Sequence, residues 1–199
     1  MKTILTTVTV AILFACSTTN SDVGHEPEPL CENPFTESER DSITEELSTI
    51  SDGDLEISRV YRSTVLQGGV STYCRIIRVK GEAPTLDMFC LVNGDEYMRP
   101  KSFILDNNGQ KRLFGKERQP TVTQDVTASG MHIEEIYTPV NVEDFDYLSS
   151  ISIGDTVRVD VLGEGHNATT FLHGERIEGI AALLRAYNAL GGCRENLPE

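Results

Sequence analysis

The chain has 199 residues, and its 31 Asp and Glu outweigh 17 Lys and Arg for a formal net charge of −14. A surface of that sign repels nucleic acid and anionic lipid headgroups, so recognition of either is excluded. The length fits one domain plus a tether, and with no tryptophan and sparse aromatics no second domain is called for.

Residues 1–15 read as a signal peptide. Lys2 follows the initiator Met1, and Thr3 to Ala15 carry no charge. The run is too short to span a bilayer as a helix, which takes ~20 apolar residues, but it fits the apolar centre of an export signal. Leu13-Phe14-Ala15-Cys16 closes it and resembles the bacterial lipobox, in which the signal is cut before a cysteine that becomes lipidated. That resemblance implies a cell-envelope lipoprotein held in the membrane by lipid on Cys16. Ser17, in place of the aspartate associated with inner-membrane retention, implies the outer membrane with the domain facing the periplasm. The cut removes Lys2 and no acid, so the remainder is one unit more negative than the whole chain. A basic protein partner would be attracted to it at long range, more weakly in high salt.

Residues 16–35 hold three prolines and scattered apolar side chains, and read as the acylated N-terminus and a flexible tether. The domain is expected over 36–199. Thr36-x-x-Glu39 has capping-box spacing, and Ile43, Leu47 and Ile50 fall on one helical stripe, so a helix is predicted there with Ser51-Asp52-Gly53-Asp54 as its stop. Strands are predicted at 55–67 and 70–79, joined by a Gly68-Gly69 hairpin turn, and at 86–92. Centring the turn after residue 79 on Glu82 places Cys74 opposite Cys90 within reach of a disulfide. Of the cysteines left after Cys16, that pairing joins Cys74 to Cys90 and Cys31 to Cys193; an even number of thiols suits an oxidising compartment.

Further strands are expected at 102–105, 110–114, 121–127 and 131–138, then a helix at 142–150 capped by Asn141. Strands at 155–162 and 168–173 follow. A last helix at 175–190 shows Ile177, Ile180, Ala181, Leu184, Tyr187 and Leu190 on one face and stops at Gly191-Gly192. Helix, strands, helix in that order predicts an α+β domain. Its mainly antiparallel sheet, meander or sandwich-like, would have an N-terminal and a C-terminal helix packed on it.

No set of residues carries recognisable chemistry, and no catalytic residue, metal or cofactor is expected. His132-x-Glu134 shares a strand face, and Glu164, His166, His173 and Glu175 bracket the last hairpin, without a zinc-site spacing such as H-E-x-x-H. Gly69-Val70-Ser71-Thr72-Tyr73 lacks the closing glycine of a nucleophile elbow. The adjacent acids Glu134 and Glu135 point to opposite strand faces, which suits no paired-carboxylate mechanism.

Residues 148–193, through Ile153-Gly154, Phe171, Gly179 and Cys193, resemble the closing segment of the invasion-associated locus B proteins and of a type VI secretion-associated periplasmic group. The likeness covers about a quarter of the chain. It implies a small sandwich-like domain used for binding, without catalysis. Lys80-Gly81-Glu82-Ala83 followed by a strand and Cys90 resembles part of the lipoprotein inhibitors of C-type lysozyme, although Ser129-Gly130 follows that segment where the family's Ser-Gly precedes it. The expectation is an envelope lipoprotein that binds or scaffolds another envelope or secretion component. The alternative is an acidic inhibitor of a basic hydrolase.

Overall fold

The computed structural model describes residues 31, 33–60, 69–115, 121–127 and 130–199. The signal peptide, Cys16, most of the tether, and residues 61–68 with the Gly68 half of the Gly-Gly turn lie outside them. Ten strands form two sheets, and every pairing among the described residues is antiparallel. The α+β class read from the sequence is what the chain adopts.

Helix α1 (Glu37–Thr44) begins as its capping box requires: the Glu39 N–H donates to Thr36 Oγ1, and the Thr36 N–H donates to the Glu39 carboxylate at 2.9 Å. It ends earlier than the Ile43, Leu47, Ile50 stripe predicts. Leu47–Asp52 is a strand, β1, that turns at Gly53 (φ +62°) into β2 (Leu55–Val60). Ser51 and Asp52 therefore end a strand and Gly53-Asp54 is a hairpin turn, not a helix stop. Leu47 joins the rim of the core while Ile50 points to the opposite face, as strand periodicity demands of residues three apart.

The six-stranded sheet continues through β3 (Gly69–Val79), β4 (Thr85–Gly94), β8 (His132–Pro139) and β7 (Thr121–Val126), in the order β1-β2-β3-β4-β8-β7. The second sheet runs β10-β9-β5-β6, from β5 (Pro100–Asn107), β6 (Gln110–Phe114), β9 (Val157–Gly163) and β10 (Asn167–Leu172). Asn108 and Gly109 join β5 to β6 with both φ positive (53° and 91°), the backbone a two-residue hairpin needs. Helix α2 (Val142–Ser150) starts at Asn141, whose side chain accepts the Asp144 N–H at 2.8 Å.

Helix α3 (Glu175–Ala189) packs on β2 and β3, β10 lies against β3, and β5 against β8. One core results. It takes the even-numbered side chains of β3 and β4, Val70, Cys74, Ile76, Leu86, Met88, Cys90 and Val92, with Val157, Val159 and Val161 of β9 and Ile177, Ile180, Leu183, Leu184 and Tyr187 of α3. The helix stops at Gly191 (φ +89°), where the Gly192 N–H donates to Tyr187 O at 2.9 Å.

Cys31 and Cys193 are joined, with Cα atoms 6.3 Å apart and a sequence separation of 162. The bridge ties the start of the domain to the end of α3, as expected, and a loop of that length adds roughly 5 kcal/mol by closure entropy. The second expected bridge is absent. Cys74 and Cys90 are free and buried, because the β3–β4 turn centres on Gly81: Cys74 stands opposite Met88, and Cys90 opposite Thr72. A one-residue error in the turn centre moves the partner by two, which keeps both thiols on the core face but sets them diagonally.

Candidate functional site

The residues that could hold a metal do not converge. The Glu134 carboxylate is spent inside the protein, accepting the N–H groups of Met98 at 2.6 Å and Arg99 at 3.0 Å and the Gln124 amide at 2.9 Å. His132 instead meets Tyr97 in a tilted ring contact, centroids 3.9 Å apart. Glu164 pairs with Arg99 and Lys101, while His166, His173 and Glu175 are exposed. Among the described residues, the set of three ligand-type side chains within reach of one another is Cys31, Cys193 and Glu195, and its two sulfurs are bonded together.

Two grooves are lined by charges of both signs. One, of about 570 Å³, lies beside the disulfide between Glu37, Arg40, Asp41, Arg78 and Leu190. The other, of about 370 Å³, is bordered by Arg112, whose guanidinium donates to Asp144, Glu143 and Asn141. Burial pushes the Asp144 carboxyl up from its ordinary range against the pull of Arg112. Held by three acceptors at the start of α2, Arg112 reads as a latch between β6 and that helix.

The surface with the most unabsorbed chemistry is the outer face of the six-stranded sheet, opposite the core. Tyr73, Phe89 and Tyr137 are directly opposed on β3, β4 and β8 and form one stacked row, with centroids 5.0 and 5.3 Å apart. Arg75 lies over Phe89 at 4.1 Å and pairs with Asp87 at 2.9 Å. The row is self-satisfied, and Phe89 is buried although it is no part of the main core.

Beside that row the face becomes aliphatic. Ile50, Ile57 and Ile77 stand opposite one another across β1, β2 and β3, and Leu55 stands opposite Val79. Ile50 is 56% exposed, and Leu55 and Val79 are also exposed. None of the five belongs to the core cluster. Among the described residues β1 pairs with β2 alone, so this corner ends in a strand edge that offers its backbone groups. Acids surround it, with Glu45 and Glu46 entering β1 and Asp52 and Asp54 leaving it, against Lys80 at the same rim. The helical spacing of Ile43, Leu47 and Ile50 hides this corner in the sequence; the alternation of Leu55 with Ile57 and of Ile77 with Val79 is the signal that points to it.

No described helix is long and apolar enough to cross a membrane. Comparison with family models, curated proteins and solved structures finds no match to this chain.

Proposed function

We propose that this protein is a lipid-anchored component of the bacterial cell envelope. On this reading Cys16 carries the lipid, and the α+β domain works as a non-catalytic binding module for another envelope or secretion protein. The observation that carries the binding half is the aliphatic corner of exposed Ile50, Leu55 and Val79 with half-buried Ile57 and Ile77, at the edge of β1 left unpaired among the described residues. Contiguous apolar surface beside an unpaired strand edge is what a partner segment adding a strand would use. The acids around the corner and the −14 charge of the chain favour a basic partner. The same charge favours a second reading, inhibition of a cationic hydrolase.

Metabolic labelling with a fatty-acid probe tests the anchor, with Cys16→Ala expected to lose the label; equal labelling of variant and wild type would remove it. Capture from envelope extract tests the module. Ile50→Asp with Val79→Asp should lose the captured partner, and salt at about 0.5 M should weaken its binding. Phe171→Asp, on the second sheet and 51% exposed, should keep it. Recovery of one basic hydrolase favours the inhibitor, and recovery of envelope or secretion proteins favours the module. Equal capture by all three proteins would take the binding surface away from the β1 corner.

A further inference from the structure

The native bridge joins the first and last of the domain's four cysteines, and the two it skips are core residues. Cys74 and Cys90 are both buried, and the Cys74 Sγ lies 3.2 Å from the Met88 Sδ. Burial pushes the Cys74 thiol up to about 12 and the Cys90 thiol in the same direction, so neither supplies much thiolate while the sheet is intact. Their diagonal placement puts their Cβ atoms beyond disulfide range, which is ~3.5–4.5 Å.

An unfolded chain has the opposite preference. Closure probability falls with about the three-halves power of loop length, so a Cys74–Cys90 loop of roughly 16 residues closes about 30 times as often as the native one. Cys31–Cys74 is also favoured, by roughly sevenfold. A Cys74–Cys90 bridge would require β3 to slide two residues along β4. That slide takes Tyr73 off Phe89 and Arg75 off Asp87, so it opposes the native sheet.

We infer that a chain given a single disulfide before it folds closes Cys74–Cys90 in preference to Cys31–Cys193, and that it then needs a thiol–disulfide exchange partner to reach the native state. The partner is a dithiol protein with an accessible low-pKa thiolate. Its thiolate attacks the Cys74 sulfur of the wrong bridge, and Cys90 leaves as a thiolate and takes up a proton. The Cys31 thiolate then displaces the partner from Cys74, and Cys193 displaces Cys74 from Cys31. One disulfide is exchanged for another with no net oxidation. That such a partner meets the chain in a cell rests on the export reading above; the order of folding and oxidation does not.

The test uses the full chain with Cys16→Ser, reduced and unfolded in guanidinium. In one arm denaturant is removed first and one equivalent of glutathione disulfide per chain, enough for a single bridge, is added second; in the other the order is reversed, with glutathione removed before refolding. Peptide mapping of the first arm should give Cys31–Cys193, with Cys74 and Cys90 alkylated only after denaturation. The second arm should give Cys74–Cys90 in about 30-fold excess over the native bridge. Catalytic protein disulfide isomerase with reduced glutathione should then restore Cys31–Cys193. Cys74→Ala with Cys90→Ala should reach the native bridge in either order, and the wild-type arms decide the matter if that variant does not fold. The inference is overturned if the second arm yields mainly Cys31–Cys193 without catalyst, or if the purified protein has no alkylatable thiol at Cys74 and Cys90. Retention of fatty-acid labelling in Cys16→Ala would bear on the anchor alone, so the two readings fail separately.

Discussion

The Glu134 carboxylate accepts the backbone N–H of Met98 at 2.6 Å, and that bond fixes how the chain leaves one sheet for the other. Glu134 is 1% exposed and has no cation against it among the described residues; its carboxylate is met by two backbone N–H groups and the Gln124 amide. Arg99, the next residue along, is held at φ +51°, a conformation uncommon for a residue with a Cβ. The carboxylate thus fills a small anion site that the β4–β5 connection makes from its own backbone.

Glu134→Ala should therefore destabilise the protein by about 1–3 kcal/mol, because it leaves the buried Met98 N–H and the half-buried Arg99 N–H without their acceptor. Glu134→Gln keeps one carbonyl oxygen and should cost less. Urea midpoints of the two variants check this, and equal midpoints would mean that water replaces the carboxylate.

Gly163 sits on the other side of the same connection. A Cβ there would meet the Met98 carbonyl oxygen at 2.5 Å and the His166 carbonyl oxygen at 2.7 Å, both backbone atoms that cannot swing aside. Gly163→Ala should cost about 1–3 kcal/mol by overpacking, whereas Gly165→Ala, with open space around it, should stay within ~0.5. Thermal or urea melts of both separate a crowded glycine from a merely flexible one.

Stability should fall in acid. The Ser152 N–H, then the Asn107 amide, hold the Asp155 carboxyl below its ordinary range. The Thr36 N–H does the same for Glu39, Arg194 for Asp146, and Lys101 with Arg99 for Glu164. A carboxyl with a lowered folded pKa contributes stability above its unfolded pKa and loses it as pH falls through the folded one. Asp144, raised by burial, runs the other way: its contribution is present at low pH and lost as pH rises. Four depressed groups against one raised predict a declining urea midpoint from about pH 4 downward. Asp155→Asn should flatten part of that decline; a profile unchanged by the substitution would assign the acid sensitivity elsewhere.

Legibility in the sequence followed the range of the interaction. The capping box at Thr36 and the Asn141 cap are local hydrogen-bond patterns, and both formed where the sequence places them; at Asn141 the Asp144 carboxylate completes a box as well. The β9 alternation of Val157, Val159 and Val161 and the apolar stripe of α3 likewise went to the core. What escaped depended on register. The β3–β4 turn holds Lys80-Gly81-Glu82-Ala83-Pro84, and only the cross-strand fit of Tyr73 on Phe89 and Arg75 on Asp87 selects Gly81 as its centre. Ile43, Leu47 and Ile50 satisfy a helical period by coincidence, and the pairing of β1 with β2 overrides it. The binding corner inherits that error, since it exists only once Ile50 is on a strand.

The α3 helix offers the sharpest contrast within one element. Leu184 is buried in the core, whereas Arg185, one position on, points outward with its guanidinium 5.7 Å from the Phe35 ring. Truncating Leu184 removes apolar contacts against the sheet and leaves a cavity that the surrounding strands can close only in part, so Leu184→Ala should cost about 2–5 kcal/mol. Arg185→Ala gives up an exposed contact at the limit of a cation–π distance and should cost under ~0.5 kcal/mol. The Cys31–Cys193 bridge holds the helix end in place whatever happens to its middle. Urea midpoints should therefore be compared with and without reductant. If Leu184→Ala and wild type have equal midpoints when the bridge is reduced, α3 is not packed on the sheet in solution.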